Sequence, residues 1–491
     1  MQPVHQRRPS IDELCARCDN ENVHTEHVTA LALRLFDELQ GVLELADSDR
    51  PLLEAACRLH DVGYSIKPQS HPQMSAEVVL KEGLAGFRET QLAYIAAVIP
   101  LHSGRLKKLE FYPLLQKVPN PQRVLRLASL LRIADGLDYS HLQDASIVGV
   151  RHSSRSVNIR VRCQFVPHNV TAADHKADLW RSVFPQKIRF TPAPAAGRTS
   201  LIGPDLHVGE AARRLTYLQF RTISVHLDGA LKGEDSEHLH DIRVAIRRLR
   251  MLLWAFRKPL AHTSAAPFDA DLQRLSGVLG PARDMDVWVE FLTNPILQKQ
   301  LTTNRRWVAF VSHQTQLRKL QLPTVRRHLG KNALGKLRAR AGRFLRIELP
   351  GFIRTASPGS IEKLARNNLW KSLRRTFKLA RLRRSESPED LHRLRIALRK
   401  VRYLGAFFEP VLGQPVGKLT KRVRAVEQAL GRIHDVDVGL ARIVREGPPP
   451  PRLLVRHLEQ QRQEAMVELE SAWQRFQSKK LQGAVRKTLR S

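Results

Sequence analysis

Apolar residues recur at three- and four-residue intervals over two long stretches of this chain, residues 10–142 and everything after residue 204, and alternate only briefly between them. In the first stretch the spacing predicts helices over 24–39, 51–60, 89–99 and 123–138. A first helix opens at Ser10 with Glu13 three residues on, the arrangement of a capping box. Gly63 ends the 51–60 pattern just after His60 and Asp61. The period then shortens, and Ile147 to Val150 and Val157 to Cys163 read as a hairpin, with Lys187 to Phe190 as a third strand. Thr191 to Pro204, TPAPAAGRTSLIGP, has no period and is rich in Pro, Ala and Gly. Residues 193–204 therefore read as a linker between a domain at 1–192 and a second at 205–491. Beyond the linker only helices are predicted, including a long basic one over 307–346 interrupted near Pro323 and one over 451–476. Loops are expected around 259–267, 350–358, 385–388 and 447–451. The expected fold class is mainly α: a helical domain with a small β appendage, then an all-α domain.

The second stretch repeats itself. HDIRVAIRRLRMLLWAFRKPL from His240 returns as HRLRIALRKVRYLGAFFEPVL from His392, 392 − 240 = 152 residues later. Leu239, Ile242, Ile246, Leu249, Leu252 and Phe256 match Leu391, Leu394, Leu398, Val401, Leu404 and Phe408. Beside this apolar stripe each copy sets a histidine followed by arginines at +3, +7 and +10: His240, Arg243, Arg247, Arg250, and His392, Arg395, Arg399, Arg402. At about 100° per residue those positions share a sector of roughly 80° on a helix. A second element repeats behind the first, Leu279-Gly280 leading to Arg283, Asp284 and Asp286, and Leu430-Gly431 leading to His434, Asp435 and Asp437. It reads as a turn after each helix, and its aspartates as helix caps or anchors for arginines. The domain is thus internally duplicated, with halves at about 205–345 and 360–491.

Charge sharpens the contrast. The chain of 491 residues carries a net charge of +34; residues 1–200 hold 25 Lys+Arg against 21 Asp+Glu, and residues 201–491 hold 56 against 26. A polyanion-binding surface therefore belongs to the second half. Four cysteines exclude a disulfide scaffold and point to a reducing compartment, and Cys15 and Cys18, a C-x-x-C without a second pair, read as structural. No apolar run reaches transmembrane length and the N-terminus lacks a signal-peptide core, so the expectation is a cytoplasmic protein with no membrane partner. Neither a Walker A loop nor a dinucleotide fingerprint occurs.

Candidate chemistry in the first half rests on His24, His60, Asp61 and Asp135. Imidazole and carboxylate together suit a divalent ion such as manganese, iron, zinc or magnesium, which can acidify water for attack on phosphorus. The order H…HD…D on helices is similar to the HD phosphohydrolase superfamily. LALRLFDEL, LLEAACRLHDVGYSI, LLRIADGLDYSH and HKADLWRSVF, over about residues 10–192, resemble the C-terminal HD-like domain of the exopolyphosphatase and guanosine pentaphosphatase family. The resemblance implies that His24, His60, Asp61 and Asp135 are metal ligands and that Asp61 is the catalytic residue. Two departures limit it. The stretch after the HD pair reads SHPQMSA, with Met74 where a histidine is expected, although His71 and His102 remain, so one metal ion is expected; and the actin-like domains that precede this module in the polyphosphatases have no counterpart here.

In the second half, ranked arginines offer forked donors for phosphate, and Trp254, Phe256, Tyr403 and Phe408 lie mostly outside the basic positions, which favours phosphates without bases over nucleic acid. The duplicated H-x-x-R-[VI]-A-[IL]-R-[RK] motif and the LG…D-x-D-V segments resemble the conserved histidine α-helical domain, CHAD, over about 205–491. That resemblance implies two pseudo-symmetric bundles around a basic channel for inorganic polyphosphate. His240, Arg243, Arg247, Arg250, His392, Arg395, Arg399 and Arg402 would line it, with Arg248 and Lys400 nearby, and the protein would associate with polyphosphate granules. The leading reading is a polyphosphate-binding protein whose HD-type domain is either a metal-dependent phosphohydrolase or a degenerate regulatory module. The alternatives are an HD phosphohydrolase acting on polyphosphate or nucleotides, and a nucleic-acid-binding protein.

Overall fold

The computed structural model describes residues 7–18, 22–67, 70–103, 112–163, 168–194, 201–233, 235–294, 297, 304–355, 360–445 and 449–490. The chain divides into two compact units, Met1–Ser200 and Leu201–Ser491. Half of the linker assigned from sequence, residues 195–200 of 193–204, lies outside the described residues.

The first unit is helical where the apolar period is 3.6. Its helices are α1 (Ile11–Arg17), α2 (Asn22–Leu39), α3 (Arg50–Leu59), α4 (His71–Glu82), α5 (Glu89–Val98) and α6 (Pro121–Leu137), followed by β1 (Ala145–His152), β2 (Ser156–Cys163), α7 (His168–Lys176), α8 (Asp178–Val183) and β3 (Lys187–Ala193). Ser10 and Glu13 form the expected capping box. Helix α6 is buried along nearly its whole length, from Val124 through Leu137, and α2, α3, α5 and α7 pack around it. The β appendage is a three-stranded sheet in the order β1-β2-β3. Strands β1 and β2 are the antiparallel hairpin read from the sequence, with a bulge between Ile147 and Gly149, and β3 joins β2 in parallel. A parallel partner needs a crossover connection, here α7 and α8, and that crossover brings α7 against α6.

The second unit is all helical: α9 (Val208–Lys232), α10 (Ser236–Ala255), α11 (Ala265–Leu292), α12 (Arg305–Leu329), α13 (Lys331–Arg343), α14 (Leu349–Thr355), α15 (Ile361–Lys378), α16 (Pro388–Leu412), α17 (Gln414–Arg445), α18 (Arg452–Phe476) and α19 (Lys479–Arg490). The repeated helices are α10 and α16, and all twelve residues of their matched apolar stripes are buried. Within each half, successive helices pack side by side, α9 to α12 and α15 to α18, and α10 meets α16 where the halves join. Phe256 and Phe408, equivalent residues of the two copies, lie 6.0 Å apart between ring centroids, and Asn368 Nδ2 donates to the Ala255 carbonyl at 3.0 Å.

Four expectations are corrected. The segments at Gly280 and Gly431 are not turns: each lies inside a continuous helix, α11 or α17, despite Pro281. A proline removes one backbone hydrogen bond, and Leu279, Ala282 and Met285, all buried, hold the helix on either side of it. The break expected near Pro323 is likewise absent, since α12 runs through it with Val325 and Leu329 anchored in the core. Helix α11 also starts inside the loop expected at 259–267, and α14 begins at Leu349 and runs into that expected at 350–358.

Candidate functional site

Helix α3 ends at Leu59, so His60 and Asp61 follow on its last turn, both buried. His24 comes from the first turn of α2 and Asp135 from the buried α6. The four predicted ligands meet: His24 Nε2 lies 3.6 Å from Asp135 Oδ1 and 4.0 Å from Asp61 Oδ2, and His60 Nε2 lies 3.8 Å from Asp61 Oδ2. The other oxygen of Asp61 faces two more histidines, His71 Nε2 at 3.3 Å and His102 Nε2 at 3.6 Å. Gly63 lets His71 approach, because a Cβ there would lie 2.7 Å from the His71 carbonyl oxygen. Ligand atoms of His24, His60 and Asp135 lie within 4.8 Å of one another, as do those of His60, Asp61 and His102.

The imidazoles are oriented for a cation. His60 Nδ1–H donates to the Cys57 carbonyl at 2.7 Å, His102 Nδ1–H to the Ile99 carbonyl at 2.7 Å, and His24 Nδ1 is bound by Asp138 Oδ2 at 2.8 Å. That leaves Nε2 of each ring aimed at the carboxylates, and Nε2 of both His24 and His60 is buried with no hydrogen-bond partner. Nδ1 tied to a carbonyl or carboxylate with Nε2 free is the arrangement of a metal-binding histidine. Burial pushes His60 down to about 4, which keeps it neutral and able to donate a lone pair. For His24 burial acts in the same direction but is outweighed by Asp135 and Asp138, which carry it up to about 10. A proton on His24 therefore supplies positive charge that a divalent ion would bring, and the donor set fits such an ion.

Sequence reasoning left out Asp138, His141 and Lys176. His141 stacks on His24 with centroids 3.7 Å apart and holds a left-handed φ of 53°. Lys176 pairs with Asp135 Oδ2. All three lie in LLRIADGLDYSH or HKADLWRSVF, motifs quoted for the resemblance, but only the fold brings them to the ligands. Asp138 gives a direct prediction. Asp138→Ala frees the His24 ring to turn, and metal affinity is expected to fall about 10- to 100-fold, read by titration with manganese or zinc.

In the second unit, the arginines after each repeated histidine fall into three environments. Arg243, Arg247, Arg395 and Arg399, with His240 and His392, form one cluster across the α10–α16 junction: Arg247 Nε lies 3.5 Å from Tyr403 Oη, and neighbouring arginines, after burial, push Arg243 and Arg395 below the ordinary arginine value. Gly280 lies beneath Arg243, where a Cβ would come within 3.1 Å of Nη1, and Gly431 lies beneath Arg395 at 3.6 Å from Nη2. At Gly280 a Cβ would crowd the guanidinium, whereas at Gly431 it would make only ordinary contact, so the glycine serves its arginine in the first copy alone. Asp284 then approaches Arg243 at 3.6 Å, and Asp435 acts on Arg395. The aspartates do anchor arginines, as do Asp286 with Arg318 and Asp437 with Arg462, each at 2.7 Å; none caps a helix.

Arg283 and His434, one from each half, extend the cluster. Arg283 donates to the Ser236 carbonyl and Glu237, and His434 lies 5.3 Å from His392 between centroids. Burial and then Arg395, His392 and Arg399 push His434 down to about 4. Arg250 is instead engaged by Asp269 at 2.8 Å, and Arg402 shares Glu427 with Arg399. Arg248 lies 5.5 Å from the Phe407 centroid, and Lys400 lies 3.1 Å and Arg257 4.2 Å from that of Trp254. Arg243 Nε and Nη1, Arg248 Nε and Arg395 Nε are buried without a hydrogen-bond acceptor, as are guanidinium Nε atoms elsewhere in the unit, those of Arg221 and Arg366 among them.

Comparison with known proteins gives the same division. Residues 6–174 match the family model described as Ppx/GppA phosphatase, domain III, and residues 215–444 match that of the CHAD domain. The chain joins a Ppx/GppA domain III to a CHAD domain. Over 131 residues it is 29% identical to a guanosine-5'-triphosphate,3'-diphosphate pyrophosphatase of Aeromonas hydrophila subsp. hydrophila, covering 26% of each chain. It thus spans about a quarter of the length of that curated relative. Among solved structures it is similar to the CHAD domain from the plant Ricinus communis (19% identity, 61% of this chain and 97% of that one, TM-score 0.43). A second is PptA from Streptomyces chartreusis (17% identity, 57% and 100%, TM-score 0.37). The histidine–aspartate cluster lies within domain III, and the arginine cluster within the CHAD domain. Among the described residues no helix is long and apolar enough to cross a membrane.

Proposed function

We propose that this chain binds inorganic polyphosphate through its CHAD domain and carries a metal-dependent phosphohydrolase centre in its domain III. The observation that carries the first part is the meeting of the guanidinium donors of Arg243, Arg247, Arg395 and Arg399 from two repeats in one cluster, where the charges of Arg247 and Arg399 act on both Arg243 and Arg395. A linear chain of phosphates satisfies such donors unit by unit. Nucleic acid suits the site less well, because the nearby aromatics are engaged: Trp254 by Arg257 and Lys400, Phe407 by Arg248 and Tyr403 by Arg402. Displacement tests this, since RNA or DNA at equal phosphate concentration should fail to release bound polyphosphate; equal competition would favour a general polyanion surface.

Lys400 adds a pH dependence. Burial, then the charges of Arg375 and Arg257, push it down to about 8. It is charged below that pH and neutral above it, so polyphosphate affinity should fall roughly three- to tenfold as pH rises from 7 to 9 at constant salt, and Lys400→Arg should remove the trend.

For domain III, the support is a buried set of imidazole and carboxylate donors with free Nε2 atoms. His24, His60, Asp61 and Asp135 would hold a divalent ion, manganese, iron, zinc or magnesium, with His71 and His102 completing the shell around Asp61. Such an ion acidifies bound water for attack on a phosphate ester or anhydride. The chain's own residues fix the imidazole tautomers through Asp138, Cys57 and Ile99 and hold the carboxylates ionised. Asp61 is pushed up by burial but held well below the usual range by the imidazoles around it. The second reading is a degenerate regulatory module, which would bind no metal.

A further inference from the structure

Lys176 is a half-buried cation that the metal reading does not use. It is the last residue of α7, and three contacts fix where that helix delivers it. Ser140 N donates to Asn169 Oδ1 at 3.1 Å and Asn169 Nδ2 donates to Ser140 Oγ at 3.0 Å, which ties the start of α7 to the loop after α6. Midway along α7, Gly136 admits Ala173 so closely that a Cβ at 136 would lie 2.7 Å from the Ala173 Cα. At the end, the Lys176 ammonium pairs with Asp135 Oδ2, while Asp135 Oδ1 faces His24. The two oxygens of one carboxylate are thus divided between the imidazole cluster and the lysine. The Lys176 side chain keeps 18% of its surface exposed, whereas His24 and His60 keep none, so the lysine stands on the open side of the cluster.

We infer that Lys176 is a substrate-binding residue of domain III, placed beside the cation to hold an oxygen of a terminal phosphoryl group. An ammonium has three N–H donors and Asp135 takes one, which leaves donors for an oxyanion next to the divalent ion. A phosphate monoester or the end of a phosphoanhydride chain presents such an oxygen; a phosphodiester presents fewer, because two of its oxygens are substituted. A purely structural lysine would serve only to neutralise Asp135. The inference rests on the metal reading above, and its test separates the two.

Full-length protein loaded with one equivalent of manganese is titrated with inorganic phosphate, and phosphorus hyperfine coupling to the bound manganese is followed by electron–nuclear double resonance. This signal reports phosphate at the metal and is blind to phosphate in the CHAD domain. Lys176→Gln should keep its manganese and raise the half-saturating phosphate concentration roughly 10- to 100-fold, the loss of one charge-assisted hydrogen bond. Lys176→Arg should stay within a few-fold of the unaltered protein. Unchanged phosphate binding in Lys176→Gln would overturn the assignment, and so would loss of manganese together with phosphate, because the lysine would then act only by holding Asp135. Failure of the unaltered protein to hold manganese would instead remove the metal reading itself.

Discussion

Asp61→Ala should lose the metal and, with it, any phosphohydrolase activity, by about 1,000-fold or more, while the metal-free protein stays folded. Asp61 faces four imidazoles: Oδ2 toward His24 and His60, Oδ1 toward His71 and His102. Removing it takes the negative charge from the centre of the donor set, and the remaining histidines lose the group that gathers them around a cation. The metal-free fold should tolerate the change, because the proton on His24 is held by Asp135 and Asp138 before Asp61. Stability measured with and without metal separates these effects. A ligand at 100 times its dissociation constant stabilises the native state by about 2.7 kcal/mol. The unaltered protein should gain that increment on adding manganese or zinc, and Asp61→Ala should gain none. A variant that keeps stoichiometric metal would remove Asp61 from the site, and unaltered protein that is metal-free and inactive would point to the regulatory module.

The second large effect is expected in the CHAD domain. Replacing Arg243, Arg247, Arg395 and Arg399 together with Glu should abolish retention of polyphosphate without unfolding the protein. Each of these arginines sits among others of its kind, and burial with mutual repulsion already weighs against Arg243 and Arg395, so the native fold gains little from their charge. Arg399 is the exception, since it pairs with Glu427 at 3.0 Å, and a glutamate there would face another. A fourfold Gln variant is therefore the control for folding, with affinity expected to fall at least about 100-fold. Binding dominated by charge also releases counterions, so affinity should drop steeply as salt rises, and the slope should flatten in the Gln variant. Polyphosphate still retained by the Glu variant would sink the channel.

How far the sequence reaches can be judged residue by residue. Helical spacing placed α2, α3, α5 and α6, and hence His24, His60 and Asp135, because amphipathic periodicity is a local property. The fourfold match between α10 and α16 revealed their shared face, since a duplication prints the same pattern twice. What stayed hidden is what depends on contacts between distant segments. Asp138, His141 and Lys176 reach the domain III cluster through the loop after α6 and the crossover helix, and nothing local marks Lys176 as the partner of Asp135. His71 was noted as a remaining histidine, but its place at Asp61 depends on the close passage of α4 over Gly63. In α11, the Leu279-Gly280 segment reads as a turn because it follows the repeated helix and glycine is a turn former. Its setting is a buried helix in which the glycine serves Arg243, and tertiary packing overrode local propensity.

The most direct test of the polyphosphate assignment is a calorimetric titration of the full-length protein with long-chain polyphosphate, beside single-stranded RNA and duplex DNA, at two salt concentrations. Polyphosphate binding that is tight at low salt, weakens as salt rises and exceeds that of both nucleic acids per phosphate is the predicted result. Nucleic-acid binding equal to or stronger than polyphosphate binding would contradict it.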